Sequence, residues 1–345
     1  MLTWKNEVKV CKKAGFVKIL HVLSLKVQKG AKALTFIPYL IDGNYVVEYD
    51  ISNSSANYDA NISVTCTTAN PNIKITNEFD TSTPVDARTI RRGKITVHDF
   101  SEGQEVTLLG SEKFNVISSD ENTVTMFAKY NIGTNYMQSS TANAVSFSSS
   151  SGWTYTPGPQ EIDIQTYGGN SKTYLNNYIA NLQTETGDSS ITGDLITLAE
   201  LKELGCTIPE TYGYASGVTC VGSRNESWIV NNQLYRTRSA SSASANNIWN
   251  VAADGSLTQT NYRYTSGIRP KVTVSKYLLN NAPVTCRITS TPVENTEKGE
   301  NDKLNSVTKY NIGRQVTIGS EKFNIIQVKD DENFSNLNDE FIREE

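Results

Sequence analysis

The chain has 345 residues, of which 37% are hydrophobic and 20% are charged, and its net charge is −4 at pH 7. This length corresponds to two or three domains, and the acidic balance disfavours a nucleic-acid-binding protein, which usually carries a basic face. The two histidines, His21 and His98, lie far apart, which disfavours a histidine-rich metal site or a histidine-based catalytic triad. The abundance of Ser, Thr, Asn and Gly instead indicates a turn-rich β protein of an exterior surface.

Residues 1–33 form a basic leader segment, with eight lysines against the single acid Glu7, a local charge of +7. Its longest apolar stretch, Phe16 to Leu25, is interrupted by polar residues. An export signal needs about 7–15 apolar residues in a row, and a membrane-spanning helix needs about 20. We therefore expect a solvated or mildly amphipathic leader helix; the alternative is a degenerate export segment.

Residues 34–98 have the pattern of a small β-sandwich. Short runs rich in β-branched and aromatic residues alternate with turns such as Asp42–Asn44 and Asn70–Asn72. Ile73–Thr76 alternates apolar and polar residues, as a half-buried strand does. Several short strands at this spacing predict an immunoglobulin-like sandwich, which we interpret as a spacer or adhesion module.

A repeated motif is the strongest internal signal in the chain. The six residues Gly110–Asn115 recur as Gly319–Asn324, each copy after a Val-Thr dipeptide and before an apolar pair. The five residues Lys129–Gly133 also recur, as Lys309–Gly313, but on the other side of the hairpin sequence. This identity indicates two related units in one chain.

Each copy of the six-residue motif predicts a hairpin, with first-copy strands near 104–109 and 113–118. We expect residues 281–345 to contain a linker and the start of a second, incomplete repeat. The alternative is an extra hairpin that pairs with the first domain.

Two helices are predicted between the copies. Residues 170–184 have the apolar spacing of an amphipathic helix, with Ser171 as N-cap and Gly187 as stop. The second helix runs from about Leu198 to Leu204, with Thr197 as N-cap, Glu200 at the capping-box position and Gly205 at the end. Strands are predicted at 227–230, 234–238, 248–251 and 271–274.

The five cysteines are Cys11, Cys66, Cys206, Cys220 and Cys286, and no pair has the spacing of a zinc or redox motif. Cys206 and Cys220 enclose a short loop that a disulfide could close in an oxidising compartment. Two buried free thiols are the alternative. The odd number leaves at least one thiol outside any intramolecular bridge.

Three motifs then occur in order. Residues 194–201 read DLITLAEL, Trp228 is followed by LYRTRSA at 234–240 and IWNV at 248–251, and residues 266–270 read SGIRP. This arrangement resembles a bacterial surface-protein domain of unknown function with a YWxRSA and GxRPV signature. That domain is similar to the C-type-lectin-like fold of formylglycine-generating enzymes (sulfatase-modifying factors) and of retroelement-diversified receptor proteins. The resemblance covers roughly residues 104–280.

The resemblance implies an α+β, mostly β fold: a lectin-like domain with two helices behind the immunoglobulin-like sandwich. It implies that the following residues are structural signatures of the domain: Glu200, Trp228, Arg238, Trp249 and Arg269. The chain departs from the pattern at Arg236, where the family has a second aromatic residue, and at Asp194, where the family has a basic one.

The arginines can also be interpreted physically. Arg238 and Arg269 stand among apolar and small residues, and a buried guanidinium group must be paired or hydrogen-bonded to carbonyls. We expect both to fix irregular loops to the sheet; recognition of a ligand carboxylate or sugar is the alternative. Glu200 is expected to cap its helix or pair with an arginine.

Catalysis is not expected. The catalytic members of the resembled family oxidise a cysteine with paired cysteines late in the domain, whereas Cys206 and Cys220 precede Trp228 here. A calcium site needs clustered oxygen ligands. Asp188, Asp194 and Asp254 supply a few, without a recognisable spacing, so no cofactor is predicted and calcium stays a minor alternative.

In lectin-like folds of this group, ligands are met by irregular loops late in the domain, which here are residues 240–247 and 257–266. Tyr, Ser and Asn, which dominate both loops, are also the residues of adaptable binding surfaces. A merely solvated pair of loops is the alternative. The candidate ligand-binding residues are Ser241, Asn246, Asn247, Gln259, Tyr262, Arg263 and Tyr264.

The sequence therefore predicts a non-enzymatic, exported or cell-surface binding or adhesion protein whose partner is a glycan or a surface protein. The first alternative is a structural surface-layer or pilin-like repeat that contacts copies of itself. An enzyme of the sulfatase-modifying type is the least favoured hypothesis. No nucleic-acid partner and no transmembrane helix are predicted.

Overall fold

The computed structural model describes residues 7–13, 16–27, 32–38, 43–53, 59–87, 89–141, 143–148, 159–213, 217–244, 246–293, 315–318, 321–325 and 341–343. Within these residues the chain is mostly β with short helices, which confirms the predicted α+β, mostly β class. It divides into two compact units. Unit 1 comprises Met1–Tyr39, Asn44–His98 and Ala282–Glu345, and unit 2 comprises Leu40–Gly43 and Asp99–Asn281.

Unit 1 contains two main sheets, in the orders β1-β2-β4-β7-β6 and β3-β21-β5. Buried side chains alternate along β4, where Val47, Tyr49 and Ile51 face the core. The strands are β1 (Glu7–Lys13), β2 (Phe16–Val27), β3 (Lys32–Phe36), β4 (Tyr45–Asn53), β5 (Ala60–Thr68), β6 (Lys74–Glu78), β7 (Ile90–His98) and β21 (Val284–Pro292).

The described part of the basic leader segment forms two strands and no helix, so the expectation of a leader helix was wrong. Strands β1 and β2 form an antiparallel pair in which Glu7 lies opposite Val22, and β2 runs parallel to β4. The sequence Glu7–Lys13 reads EVKVCKK, whose first residues alternate polar and apolar with the period of a strand.

Unit 2 ends at Asn281, but the segment that follows it belongs to unit 1. Strand β21 lies in the segment expected to be a linker, yet it pairs with β5 over its whole length and with β3 on its other side. Unit 1 is therefore completed by chain that follows unit 2, and unit 2 is an insertion between β7 and β21.

The second copy of the six-residue motif forms a hairpin like the first. In the first copy, Val106 pairs with Phe114 and Thr107 with Lys113; in the second, Val316 pairs with Phe323 and Thr317 with Lys322. These strands belong to a three-stranded sheet in the order β22-β23-β24. They are β22 (Gln315–Ile318), β23 (Glu321–Ile325) and β24 (Phe341–Arg343). Residues 309–313, the second copy of the other motif, lie outside the described residues.

Unit 2 contains two larger sheets and a small one. One sheet has the order β15-β20-β10-β9-β8, a second has the order β13-β19-β16-β17-β18 with β14 also on β16, and β11 pairs with β12. The strands are β8 (Glu105–Leu108), β9 (Glu112–Ser119), β10 (Thr123–Ala128), β11 (Asn131–Ile132), β12 (Gln138–Ser139), β13 (Ala144–Ser146), β14 (Gln160–Glu161), β15 (Thr192–Leu195), β16 (Tyr235–Ala240), β17 (Asn247–Val251), β18 (Leu257–Asn261), β19 (Thr265–Gly267) and β20 (Pro270–Ser275).

The two predicted helices are present. Helix α2 (Gly169–Thr186) ends at Gly187 in a left-handed conformation, as expected, but it begins two residues before Ser171, which is buried in its first turn. Helix α3 (Leu198–Glu203) has the predicted capping box between Thr197 and Glu200. The remaining helices are α1 (Ile164–Tyr167), α4 (Glu226–Ile229) and α5 (Lys276–Asn280).

Helix α4 lies where a strand was predicted over residues 227–230. Its buried residues, Trp228 and Ile229, belong to a core cluster that also contains Tyr235, Trp249 and the Cys206–Cys220 pair. A run of four residues is too short for its period to distinguish a strand from a helical turn, and packing into this core favours the turn.

Candidate functional site

Arg269 joins three segments of unit 2 at the centre of the core. Its fully buried guanidinium donates hydrogen bonds to the carbonyl oxygens of Ala128, Ile229 and Trp228, at 2.6, 2.5 and 2.5 Å. The group also stacks on the ring of Phe127, with its central carbon 4.1 Å from the ring centre. It therefore has the loop-fixing role that the sequence predicted.

Arg236, which the sequence analysis noted only as a departure from the family pattern, is equally buried. Its two terminal nitrogens donate to the carbonyl oxygens of Tyr262 and Tyr264, at 3.2 and 2.7 Å. Burial lowers the pKa of both guanidinium groups to about 10, so both stay charged at neutral pH. Arg236 thereby fixes the loop that carries several candidate ligand-binding residues.

Arg238 differs from the other two because it is only partly buried and faces a carboxylate. Its Nε lies 3.1 Å from an oxygen of Asp194. Asp194 is the residue noted as a departure, and it now supplies the arginine's partner. Glu200 closes the α3 capping box, which confirms the first of its two predicted roles. Its ion pair is with Lys271 and not with the arginine that was predicted.

Glu161 is a third carboxylate, beside Arg238 and Glu200, and no sequence motif pointed to it. Its two oxygens accept hydrogen bonds from Ser239, at 2.6 Å, and Tyr212, at 3.1 Å. Burial raises the pKa of Glu161 above its ordinary value, and burial likewise raises the pKa of Asp194. These groups are satisfied by neighbours within unit 2, so they have the character of a structural network.

Three of the candidate ligand-binding residues are unsuited to direct contact. Tyr262 is only 5% exposed and Ser241 only 1% exposed. The Ser241 hydroxyl donates to the side-chain oxygen of Gln259 at 2.6 Å, which commits both side chains to each other. Tyr262 and Ser241 thus belong to the interior of the loop, and Gln259 is engaged by Ser241. Contact of these three residues with a ligand stays a prediction.

The other candidates lie closer to solvent. Asn246, Arg263 and Tyr264 are exposed, and Asn247 is half-buried. Tyr264 is 67% exposed, the largest exposed fraction among the well-exposed apolar and aromatic side chains of the described residues. Because Arg236 binds the carbonyl oxygens of Tyr262 and Tyr264, the backbone of the loop that carries the Tyr264 side chain is fixed. We call Asn246, Arg263 and Tyr264 the loop face.

A separate cleft of about 400 Å³ lies elsewhere in unit 2. None of the seven candidate ligand-binding residues lines it. The cleft is formed by the start of the repeat hairpin, the end of β10 and the segment through α4. Its lining residues are Gly103, Glu105, Asn115, Lys129, Tyr130, Ser227, Trp228, Val230, Asn231 and Asn232.

Trp228 contributes apolar surface to this cleft. It is 9% exposed, and its indole nitrogen donates to the side-chain oxygen of Asn225 at 3.2 Å. Since the indole N–H already has its acceptor, the remaining ring atoms of Trp228 offer only carbon surface. Trp228 and Trp249, which the resemblance implies to be structural signatures, are both buried.

Polar groups surround this apolar surface. Lys129 and Glu105 form an ion pair at 2.8 Å, with about a third to a half of each side chain exposed. Asn232 is exposed and has a left-handed backbone, with φ of +59°. Such conformations in non-glycine residues are uncommon and concentrate at ligand-binding positions.

The sequence did contain a signal for the cleft. Asn115 ends the repeated Gly110–Asn115 motif, and Lys129 and Tyr130 begin the repeated Lys129–Gly133 motif. The six-residue repeat by itself predicts only a hairpin. Its spacing cannot show that the ends of two separate motifs converge on one surface.

Two disulfides are present: Cys206–Cys220, in the loop that the sequence singled out, and Cys66–Cys286, which was not anticipated. Disulfides persist in oxidising, extracellular environments, with which this pair is compatible. Among the described residues, no group of three or more His, Cys, Asp or Glu side chains could hold a metal ion. No helix in the described part of the chain is long and apolar enough to cross a membrane.

In comparisons with known proteins, no family model, no curated protein and no solved structure matches the chain.

Proposed function

We propose that this protein is a non-enzymatic, exported or cell-surface binding protein that recognises a glycan or another surface protein. In this proposal, unit 1 is an immunoglobulin-like spacer and unit 2 is a lectin-like recognition module. The observation that carries the proposal is the loop face, where exposed Tyr264, Arg263 and Asn246 lie on backbone that buried Arg236 fixes. Tyr offers contact area at a low cost in conformational entropy.

The two disulfides support an extracytoplasmic location. The carboxylates of unit 2 support a binding role over catalysis. Glu161 is occupied by Ser239 and Tyr212, and Glu200 by Lys271, so neither stands opposite an activated nucleophile. Cys206 and Cys220 are bonded to each other and buried in the core of unit 2, which favours a structural disulfide over a reactive thiol pair.

The test is binding of the full chain to an array of glycans and bacterial or host surface proteins, with and without calcium. We expect reproducible binding to one class of ligand. Tyr264→Ala tests the loop face, and Tyr277→Ala is the matched control because Tyr277 is 62% exposed at a position outside the loop. A folded protein that binds nothing would contradict the proposal.

The structural-repeat hypothesis is the second candidate, and the repeated hairpin register supports it. It predicts concentration-dependent self-association, which sedimentation velocity of the full chain measures. A monomer at all accessible concentrations would contradict this second candidate and leave the binding proposal in place.

A further inference from the structure

The cleft around Trp228 has a composition that points to a ligand class. Its charged lining residues are one acid, Glu105, and one base, Lys129, which pair with each other. Exposed Ser227 and Asn232 add a hydroxyl and an amide, which can each donate and accept hydrogen bonds. The ammonium of Lys113 also lies 4.0 Å from Glu105, but Lys113 does not line the cleft. The lining itself therefore offers neither an anion nor a cation an excess of opposite charge.

The groups beside the ion pair suit a ligand that carries several hydroxyls on an otherwise apolar ring. The carboxylate of Glu105 accepts hydrogen bonds from hydroxyls, the ammonium of Lys129 donates to them, and the exposed part of the Trp228 ring offers carbon surface for C–H groups. A volume of about 400 Å³ lies within the usual range of small-molecule sites. We infer that the cleft binds one uncharged saccharide residue.

The wall of the cleft is held in place before any ligand arrives. Arg269 binds the carbonyls of Trp228 and Ile229, and the Tyr235 hydroxyl donates to the Ile229 carbonyl at 3.1 Å. The Asn231 amide donates to the Lys129 carbonyl at 3.0 Å, which joins the α4 segment to the opposite wall. A site that is ordered in advance loses less entropy on binding.

The inference rests on the proposed function, because it adds to the loop face a second contact with a glycan, in which the cleft binds one of its saccharide residues. The test is saturation-transfer NMR with the full chain and a panel of free sugars. The neutral probes are glucose, galactose, mannose and N-acetylglucosamine, and the charged probes are glucuronic acid and glucosamine. We expect saturable transfer from the chain to at least one neutral sugar and weaker transfer to its charged counterpart.

Variants locate the binding. Asn232→Gly removes the amide while glycine accepts the left-handed backbone, and Asn246→Gly is the matched control on the loop face. Losing one or two hydrogen bonds predicts an affinity about three- to tenfold lower for Asn232→Gly, with Asn246→Gly and Tyr264→Ala unchanged. Circular dichroism and the melting temperature verify that each variant is folded.

The outcomes separate the two proposals. Binding that Tyr264→Ala weakens and Asn232→Gly does not would overturn the cleft assignment and leave the surface-binding function standing. The cleft assignment would also be overturned if the chain binds a protein or glycan on the array but shows no saturation transfer to any free neutral sugar. A folded chain that binds neither the array nor the sugars would overturn both.

Discussion

At the scale of single residues, buried arginines determine how unit 2 presents its surfaces. Arg269 fixes the carbonyls behind the cleft, and Arg236 fixes those beneath the loop face. Both side chains are fully buried and bind backbone carbonyls. Removing such a group leaves buried acceptors without a donor, which costs more than the hydrogen bond itself contributes.

Arg269→Met should therefore lower the free energy of unfolding of unit 2 by at least about 3 kcal/mol, since the carbonyls of Ala128 and Trp228 both lose this donor. Urea denaturation followed by tryptophan fluorescence measures the change. Arg263→Met is the control, and because Arg263 is exposed its effect should stay within about 0.5 kcal/mol. Equal effects of the two variants would show that burial of Arg269 contributes little.

The contribution of Glu161 to the stability of the fold changes with pH in a direction that its pKa shift defines. Its pKa is raised in the folded protein, so its contribution to stability is largest when it is protonated and is lost as the pH rises through that pKa. Between about pH 4 and 7, the stability of the wild type relative to Glu161→Gln should therefore fall. Thermal unfolding of both proteins across this range measures the difference.

Asp254 provides a control of opposite sign. Hydrogen bonds from Ser256 lower the pKa of Asp254, so its contribution is present above its ordinary pKa and is lost as the pH falls. The stability of the wild type relative to Asp254→Asn should therefore rise with pH. The same slope for both variants would contradict the burial argument for Glu161.

At the scale of elements, the turn between β8 and β9 holds the backbone of Leu109 in a strained conformation, which a substitution can test. Its turn places Leu109 and Gly110 in left-handed conformations, with φ of +54° and +73°. Glycine accepts this region without penalty, whereas leucine does not. The second hairpin has one residue fewer between its last paired residues, Ile318 and Glu321.

Leu109→Asn should raise the free energy of unfolding by about 0.5–1 kcal/mol, because Asn followed by Gly favours this turn. Leu234→Asn is a matched control: Leu234 is 38% exposed against 39% for Leu109, and its φ is not left-handed. Urea denaturation should show a gain for Leu109→Asn alone. A loss of stability at residue 109 would contradict the assignment of strain.

Signals between neighbouring residues predicted individual helices and strands. Pairing between residues far apart in the sequence determined how these elements are arranged. The α3 capping box lies within four residues, Thr197 to Glu200, so the sequence could show it. The pairing of β5 with β21 joins residues that lie more than 200 positions apart, as Cys66 and Cys286 do. The cleft likewise unites Glu105, Lys129 and Asn232, whose convergence depends on the tertiary fold.

At the scale of the whole molecule, unit 2 is inserted into unit 1, and the Cys66–Cys286 disulfide links the two parts of unit 1 that flank it. A cut anywhere between these cysteines leaves the two pieces covalently joined. A protease site inserted between exposed Ser189 and Ser190 makes such a cut in unit 2.

After cleavage at that site, the protein should migrate as one species on a non-reducing denaturing gel and as two after reduction. Replacing Cys66 and Cys286 by serine should give two species in both gels, whereas replacing Cys206 and Cys220 should leave the pieces joined. Two species from the wild type without reductant would show that the Cys66–Cys286 bridge is not formed.

The location of ligand contact is the central claim, and hydrogen exchange tests it most directly. Exchange of the full chain is followed by mass spectrometry with and without a saturating neutral sugar. The account predicts slower amide exchange in residues 227–232 and 103–105, which line the cleft, and no change in residues 257–264. Protection confined to residues 257–264 would contradict it and assign recognition to the loop face.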